Sequence, residues 1–169
     1  MPDKGEEKDN RKDSSLEPSV HLIVFKLGVE EYGIRIEQVK EVTITPEITR
    51  MPKTPPFIKG IANIRGDIIA IMDLEERFHI TPAVTVENQK HTYTLALEAK
   101  DYTIGLIVRE VPQSLTIPVS RMDKTPAFIQ DINISENFIE GIGKINGRLI
   151  IVLDILKILT NEEIQMLKD

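Results

Sequence analysis

The chain has 169 residues, of which 41% are hydrophobic and 28% charged, and its net charge is -6. These proportions are typical of a globular protein with one compact domain or two small ones. The acidic balance and the lack of a Lys/Arg cluster argue against nucleic acid as a partner. No apolar run is long enough to span a bilayer, so direct membrane insertion is not expected. The absence of cysteine excludes disulfides and thiolate metal sites, and the simplest location is the cytoplasm.

The chain begins with a charged segment and continues as a series of strands. Residues 1–18 carry many charges of both signs and few apolar side chains, which predicts a disordered N-terminal tail. In "EEYGIRIE", Tyr32, Ile34 and Ile36 alternate with polar or small residues, as in a strand with one buried face. The later run "RLIIVL" is apolar on both faces, so we expect it to be covered on both sides.

The sequence contains an internal duplication. "EEYGIRIEQVKEV" parallels "KDYTIGLIVREV" at an offset of 70 closing to 69, and "ITRMPKTPPFI" parallels "VSRMDKTPAFI" at an offset of 71. The two glycine-turn hairpins, Phe57–Asp73 and Phe138–Asp154, match at an offset of 81 and share eight of 17 positions. The segments keep the same order in both halves, with the insertion "QDINISENFI" in the second, so we interpret the chain as two diverged copies of one β-rich unit.

Two such units predict an all-β protein. About five short apolar strands in roughly 70 residues close most easily as a small barrel, and barrels of that size have thin cores on their own. We therefore expect two five-stranded barrels packed around a shared core, with a short C-terminal helix. The predicted boundaries are a first barrel over 19–80, a crossover linker over 81–90, a second barrel over 91–159 and the helix over 160–169. A strand that crosses between the barrels remains an alternative.

Catalytic patterns are missing from the sequence. The three histidines lie far apart, and no nucleophile motif, phosphate loop or metal-ligand spacing is present. We expect no cofactor, no metal and no enzymatic activity. Asp73 and Asp154 stand at matching strand ends and are interpreted as helix caps. The acidic pairs Glu30–Glu31 and Glu75–Glu76 are expected to be solvated.

The duplication separates shared scaffold from residues present in one copy only. Gly60 and Gly66 recur in the second copy as Gly141 and Gly147, which indicates tight turns or close backbone approaches. Arg65, at the tip of "NIRGD", stands opposite Asn146 and is the clearest candidate for binding; an ordinary surface arginine is the alternative. Glu41 in "VKEV" is a second candidate, matched in the 70-to-69 alignment by Glu110. Phe57 and Phe128 follow proline-rich turns, and each is either a core residue or an exposed interface anchor.

Taken together, these segments closely resemble the CheW family, the coupling proteins of bacterial chemotaxis. The resemblance is carried by "FKLGVEEYGIRIEQVKEV", "TPPFIKGIANIRGDIIAIMDLEERF", "YTIGLIVREV" and "GIGKINGRLIIVLDILKIL", and it runs from about residue 21 to residue 167. It implies two five-stranded SH3-like barrels around a shared core. It also implies a non-catalytic adaptor that links the cytoplasmic tip of methyl-accepting chemoreceptors to the regulatory domain of the histidine kinase CheA. Such an adaptor would be monomeric alone and recruited to membrane-associated receptor arrays.

The resemblance also implies partner-binding residues. Positions tied to partner binding in the family fall on Val39 and Glu41 in "VKEV", on Gly60, and on Asn63, Arg65 and Gly66 in "NIRG". Positions implicated in receptor coupling fall on Ile68, Gly105 and Val111. Phe128 resembles an aromatic contact between such adaptors and kinase domains. Ser114 and Asp123 depart from the family pattern in the second copy.

Other classes of function remain as alternatives. An SH3-like module that binds proline-rich peptides would need an aromatic-lined groove, and the chain has no Trp, three Tyr and five Phe. A regulatory subunit of another two-component kinase pathway would use the same scaffold. An enzyme on a barrel scaffold would need converging titratable groups in a pocket, and the sequence offers only surface carboxylates.

Overall fold

A computed structural model of the chain describes residues 17–82, 91–99, 102–123 and 138–168. Phe128, nearly all of the N-terminal tail and most of the 81–90 linker lie outside these ranges. The strands are β1 (Ser19–Leu27), β2 (Glu30–Arg35), β3 (Val39–Ile44), β4 (Ile58–Ile64), β5 (Asp67–Asp73), β6 (Tyr93–Glu98), β7 (Thr103–Val108), β8 (Gln113–Pro118), β9 (Met122–Asp123), β10 (Ile139–Ile145) and β11 (Arg148–Leu153). The helices are α1 (Leu74–Arg77) and α2 (Asn161–Lys168), and 3-10 turns cover Ile36–Gln38, Val119–Arg121 and Ile155–Lys157.

The strands form two sheets. The six-stranded sheet has the order β8-β1-β2-β11-β10-β9, and the five-stranded sheet has the order β3-β6-β7-β5-β4. Neighbouring strands are antiparallel except β2 with β11 and β5 with β7, which pair in parallel. The all-β class, the two small sheets and the short C-terminal helix confirm the predicted fold. The six-stranded sheet exceeds the expected count by β9, a strand of two residues.

The predicted division into a first barrel over 19–80 and a second over 91–159 does not describe these sheets. The hairpin β1–β2 lies with β8–β11, and the hairpin β6–β7 lies with β3–β5, so two strands from each half lie in the sheet of the other. All strands of the five-stranded sheet therefore come from the continuous stretch 39–108. In the sequence, the strands of the six-stranded sheet precede and follow this stretch. Each copy offers the same docking place for a hairpin, which is the condition under which identical elements exchange.

Three hydrophobic clusters fill this architecture. One lies within the six-stranded sheet and includes Leu22, Ile150 and Val152; another lies within the five-stranded sheet and includes Ile71 and Ala96. The largest draws residues from both sheets and lies between them. On β11, Ile150 and Val152 face the first cluster while Ile151 and Leu153 face the shared one, so the prediction that "RLIIVL" is covered on both sides is confirmed.

The strand registers correct the alignment of the two copies. Across the five-stranded sheet a row of paired residues runs Glu41, Ala96, Gly105, Ile71 and Gly60. Across the six-stranded sheet the matching row runs Gln113, Val24, Gly33, Val152 and Gly141. Hairpin β1–β2 and strand β3 thus match their counterparts at an offset of 72, so the residue equivalent to Glu41 is Gln113 and the expectation of Glu110 was wrong.

Side-chain caps end the two hairpins as predicted. The Asp73 carboxylate accepts hydrogen bonds from the backbone N–H groups of Glu75 and Glu76, at 3.0 and 3.3 Å, and Asp154 accepts one from Leu156 at 3.1 Å. Thr160 and Glu163 form a reciprocal capping box at the start of α2. Neither helix, nor any other in the described ranges, is long and apolar enough to cross a membrane.

Candidate binding site

The turn between β4 and β5 carries an unusual backbone. Ile64 pairs with Asp67, so Arg65 and Gly66 form a two-residue turn, and both have positive φ, +50° and +92°. A turn with positive φ at both central positions suits the right-handed twist of a hairpin and favours Asn-Gly, which is the sequence of the equivalent turn at Asn146 and Gly147, with φ of +50° and +74°. Arg65 therefore occupies a conformation in which a long side chain is uncommon.

Asn63 supports this turn from the preceding strand. Its side-chain oxygen accepts a hydrogen bond from the Gly66 N–H at 2.8 Å. The equivalent residue in the second copy, at the offset of 81, is Lys144, which instead pairs with Asp123 at 3.3 Å. The N-x-R-G sequence is thus a local unit in which the asparagine stabilises a turn that the arginine does not favour.

Arg65 reaches from this turn to the opposite edge of the sheet. Its Nε lies 2.8 Å from Oε2 of Glu41 on β3, although β3 and β4 stand at the two ends of the strand order. A second pair, Lys40 with Asp67 at 3.5 Å, joins the same two regions. The five-stranded sheet is therefore curved enough for charged side chains to bridge its edges, and Glu41, Asn63, Arg65 and Gly66 come together at one place.

The two members of the main pair differ in exposure. The Glu41 side chain is 17% exposed, whereas that of Arg65 is 82% exposed. Most of the guanidinium thus faces solvent while the carboxylate fixes one side of it. At the equivalent positions the six-stranded sheet carries Gln113 and Asn146, so the pair belongs to one copy only, and both of its members break the symmetry.

The other residues implied by the resemblance lie in different surroundings. Gly60 is buried with φ of +143°, and a Cβ added there would overlap the carbonyl oxygen of Thr49. Gly105 is buried between Ile71 and Thr94, whose side chains would lie 2.7 and 2.8 Å from an added Cβ. Gly60 and Gly105 therefore serve close packing rather than surface contact.

The aliphatic candidates divide in the same way. Ile68 and Val111 are each 64% exposed, and Val39 is half-buried against the cluster between the sheets. Ile68 lies close to the Arg65 turn, whereas Val111 follows β7 beside the end of β1, where Lys26 and Glu110 approach to 4.0 Å. Phe57 is a core residue at 9% exposure. Phe128 stays a prediction because it lies outside the described residues.

A shallow groove beside the turn was missed in the sequence. Its lining combines Ile68 of β5 with Ile61, Ala62 and Asn63 of β4 and with Pro46, Glu47 and Thr49, which precede β4. Thr49 and Ile61 exchange backbone hydrogen bonds of 2.8 Å, which holds the proline-containing segment against β4. The alternating segment "ITPEIT" could have predicted an extended stretch next to the groove, but nothing in that segment indicates that it contacts β4.

Glu30 is exposed as expected, but one residue of each acidic pair, Glu31 or Glu75, is engaged in contacts. Glu75 is only 6% exposed and accepts hydrogen bonds from Gly28 and Arg109. Glu31 accepts two hydrogen bonds from Arg148, at 2.5 and 2.9 Å. Both expectations failed because the partners are distant in sequence and reach these carboxylates only through the strand exchange and the parallel pairing.

The arrangement is that of a binding surface. No group of three or more metal-ligating side chains occurs within the described ranges. The Arg65 site combines an exposed cation, a fixed carboxylate and a neighbouring apolar side chain, which are features of a protein–protein contact. Two SH3-like sheets bearing such a surface define a class of protein that works by binding partners.

Comparison with known proteins narrows that class. Residues 21–163 match the model of the CheW-like domain. The chain is 32% identical over 145 residues to the chemotaxis protein CheW of Klebsiella aerogenes, covering 86% of this chain and 84% of that protein. It is 30% identical over 141 residues to the CheW of Thermotoga maritima, covering 82% and 86%. The crystal structure of the scaffolding protein TtCheW from Thermoanaerobacter tengcongensis superposes with a TM-score of 0.74 at 31% identity, covering 86% and 91%.

The chain belongs to the CheW family. It is accordingly a non-catalytic adaptor of chemotaxis, and the resemblance read from the sequence is confirmed.

Proposed function

We propose that this protein couples the cytoplasmic tips of methyl-accepting chemoreceptors to the regulatory domain of a CheA-type histidine kinase. It would act from the cytoplasm, as a monomer recruited to membrane-associated receptor arrays. In this role the adaptor holds receptor and kinase in a fixed relative geometry, so that a receptor movement changes the population of kinase conformations.

The observation that carries the proposal is the arginine at the β4–β5 turn. A non-glycine residue at positive φ costs about 1–3 kcal/mol, and an exposed ion pair returns less than about 1 kcal/mol. The Arg65–Glu41 pair therefore does not offset its own turn, and the second copy carries the favourable Asn-Gly instead. A costly, exposed arginine beside the aliphatic Ile68 is accounted for by a partner that covers it.

We assign Glu41, Asn63, Arg65, Gly66 and Ile68 to the contact surface itself. Val39 and Gly60 support it from beneath: Val39 through the shared core, and Gly60 by letting the segment at Thr49 lie against β4. Gly105 holds the sheet closed at the row that contains Glu41. Val111 belongs to a second surface after β7, for which the resemblance implies receptor coupling, and Phe128 remains a proposed contact with kinase domains.

The aromatic residues support an adaptor over a module for proline-rich peptides. Within the described ranges Phe25, Tyr32, Phe57 and Phe78 are buried in the shared cluster, while Tyr93, Tyr102 and Phe138 pack against it. A groove lined by aromatic side chains, which peptides in the polyproline conformation need, is therefore not formed by the described residues.

The test is Arg65→Ala, with Asn146→Ala as the matched control at the equivalent turn. Binding of each variant to a CheA regulatory-domain fragment and to a receptor cytoplasmic fragment is measured by titration calorimetry, beside a melting curve. We expect Arg65→Ala to keep the melting temperature and to weaken one of the two complexes by about 2–5 kcal/mol, because a covered charge pair loses one partner. Asn146→Ala should leave both complexes unchanged. Normal binding of Arg65→Ala to both fragments would contradict the assignment.

A further inference from the structure

Glu75 is the one charged residue buried below a tenth exposure in the described part of the chain. Burying a carboxylate is strongly unfavourable unless its oxygens are hydrogen-bonded. Here Oε1 accepts from the Arg109 Nε at 2.6 Å, and Oε2 accepts from the Gly28 N–H at 2.9 Å. Both oxygens are thus used by groups 34 and 47 residues away.

These two contacts tie three segments of the chain together. Glu75 lies in α1, after β5; Gly28 lies in the β1–β2 turn of the six-stranded sheet; and Arg109 directly follows β7 of the five-stranded sheet. The contact with Gly28 is close on the other side as well, because a Cβ added there would lie 2.7 Å from the Ile80 side chain. One carboxylate therefore fixes a turn of one sheet to the end of a strand of the other.

The exposed apolar residues next to these ties are both valines. Val29, beside Gly28, is 81% exposed, and Val111, two residues after Arg109, is 64% exposed. Val29 and Val111 are thus the apolar side chains that these two segments offer to a partner. The segment at Glu110 receives a second, weaker tie from Lys26, at 4.0 Å between half-exposed side chains.

The equivalent place in the other copy shows what the tie changes. At the offset of 72, Val111 corresponds to Val39, which is half-buried against the shared cluster. The counterparts of Arg109 and Glu75 are Glu37 and Leu156, and both are exposed. The equivalent position thus carries a half-buried valine where the counterparts of Glu75 and Arg109 are exposed, and an exposed valine where Glu75 accepts a hydrogen bond from Arg109.

We infer that Glu75 is a positioning residue for receptor coupling: through Arg109 and Gly28 it holds Val111 and Val29 outward, where they contact the helical tip of the receptor. The inference rests on the proposed function, in which Val111 belongs to the receptor surface. It adds a residue that touches no partner and a second exposed contact, Val29.

The experiment compares Glu75→Gln with Glu76→Gln, the same change at the neighbouring carboxylate that pairs with Lys59. A receptor signalling-tip fragment and a CheA regulatory-domain fragment are titrated separately, below the melting temperature of every variant. Because a charge-assisted hydrogen bond is lost beneath the surface, we expect Glu75→Gln to weaken receptor binding about tenfold or more. Kinase binding should change by less than about twofold, and Glu76→Gln should change neither. Amide hydrogen exchange at residues 109–111 should be faster in Glu75→Gln alone.

Two further variants separate the outcomes. Arg109→Gln removes the same tie and leaves the Gly28 contact, so it should reproduce the loss of receptor binding even if Glu75→Gln does not fold. Val111→Asp tests the receptor surface directly. If the wild type binds no receptor fragment, or if Val111→Asp binds as well as the wild type, the proposed receptor surface is wrong and the inference falls with it. If Val111→Asp loses binding while Glu75→Gln and Arg109→Gln keep it, or if they weaken receptor and kinase equally, the positioning role alone is overturned.

Discussion

The two sheets share one row of paired residues and differ at its ends. In the middle of each row stands a glycine of the exchanged hairpin, Gly105 or Gly33, packed against a buried aliphatic strand. At one end the five-stranded sheet has Glu41, paired with Arg65, where the six-stranded sheet has Gln113. The duplicated interior is therefore conserved within the molecule as scaffold, and the differences are concentrated where side chains reach the surface.

The largest expected difference lies at the other end of the row, between Gly60 and Gly141. A Cβ at Gly60 would overlap the Thr49 carbonyl at a φ of +143°, whereas one at Gly141 would lie 3.1 Å from the Asp123 carbonyl. We expect Gly60→Ala to lower the free energy of unfolding by about 2–4 kcal/mol, and Gly141→Ala by clearly less. Urea denaturation of both variants measures this, and equal losses would show that the two edges close in the same way.

Exchanging the residues at the two hairpin turns should change the free energy of unfolding by an intermediate amount, and Arg65→Asn should raise it where Gly60→Ala lowers it. Arg65→Asn creates the Asn-Gly turn of the second copy, so it should raise the free energy of unfolding by about 0.5–1 kcal/mol while it weakens partner binding. Asn146→Arg should lower stability by a similar amount and leave binding intact. Melting curves and the calorimetric titrations test both. A stable Arg65→Asn protein that still binds fully would mean that the arginine serves no partner.

The smallest expected effect concerns acid stability. Hydrogen bonds from Arg148, opposed by partial burial, lower the pKa of Glu31 below its ordinary 4.5. A carboxyl with a lowered pKa in the folded state stabilises the protein above its unfolded pKa, and this contribution is lost as the pH falls through the lower, folded value. Glu31→Gln should therefore cost under about 1 kcal/mol at pH 7 and lose less stability than the wild type below pH 4.5.

The matched control for this pH effect lies in the other sheet. The equivalent positions are Thr103 and Asp67, and Asp67 pairs with Lys40 at 3.5 Å through a 64% exposed side chain. Asp67→Asn removes an exposed carboxylate from a surface ion pair and is the control for that loss. Denaturation midpoints between pH 3 and pH 7 compare the two variants, and identical acid profiles would contradict the role of Glu31.

Local patterns predicted much of this structure. The hairpins, the caps at Asp73 and Asp154, the doubly covered strand β11 and the exposed Arg65 turn all follow from short stretches of sequence. The alignment of β2 with its counterpart β7 in the other copy was not predicted, because the shared tyrosine at Tyr32 and Tyr102 favoured an offset of 70. The structure instead aligns Gly33 with Gly105, where an added Cβ would lie within 3.2 Å of neighbouring side chains.

Long-range contacts explain the remaining failures. In "DLEERF", Glu75 lies in a pattern typical of the exposed face of a short helix. Its burial depends instead on contacts with Gly28 and Arg109, which are distant in the sequence. The pairing of Arg65 with Glu41 likewise depends on the curvature that brings the two edges of the five-stranded sheet together. The identity of the candidate residues was available from the resemblance, but the division between surface and packing roles required the contacts.

In the sequence, the strands of the five-stranded sheet lie between those of the six-stranded sheet, and this sets the order in which the two sheets can form during synthesis. All strands of the five-stranded sheet have left the ribosome once Val108 has emerged. By contrast β1 and β2, which are synthesised first, must wait for β11 at Arg148–Leu153. Domains generally fold from the N-terminus as they emerge, yet here the earliest hairpin is the last to find its parallel neighbour. The strands that carry the Arg65 surface are thus all present on the nascent chain before the six-stranded sheet can form from the first and last strands of the protein.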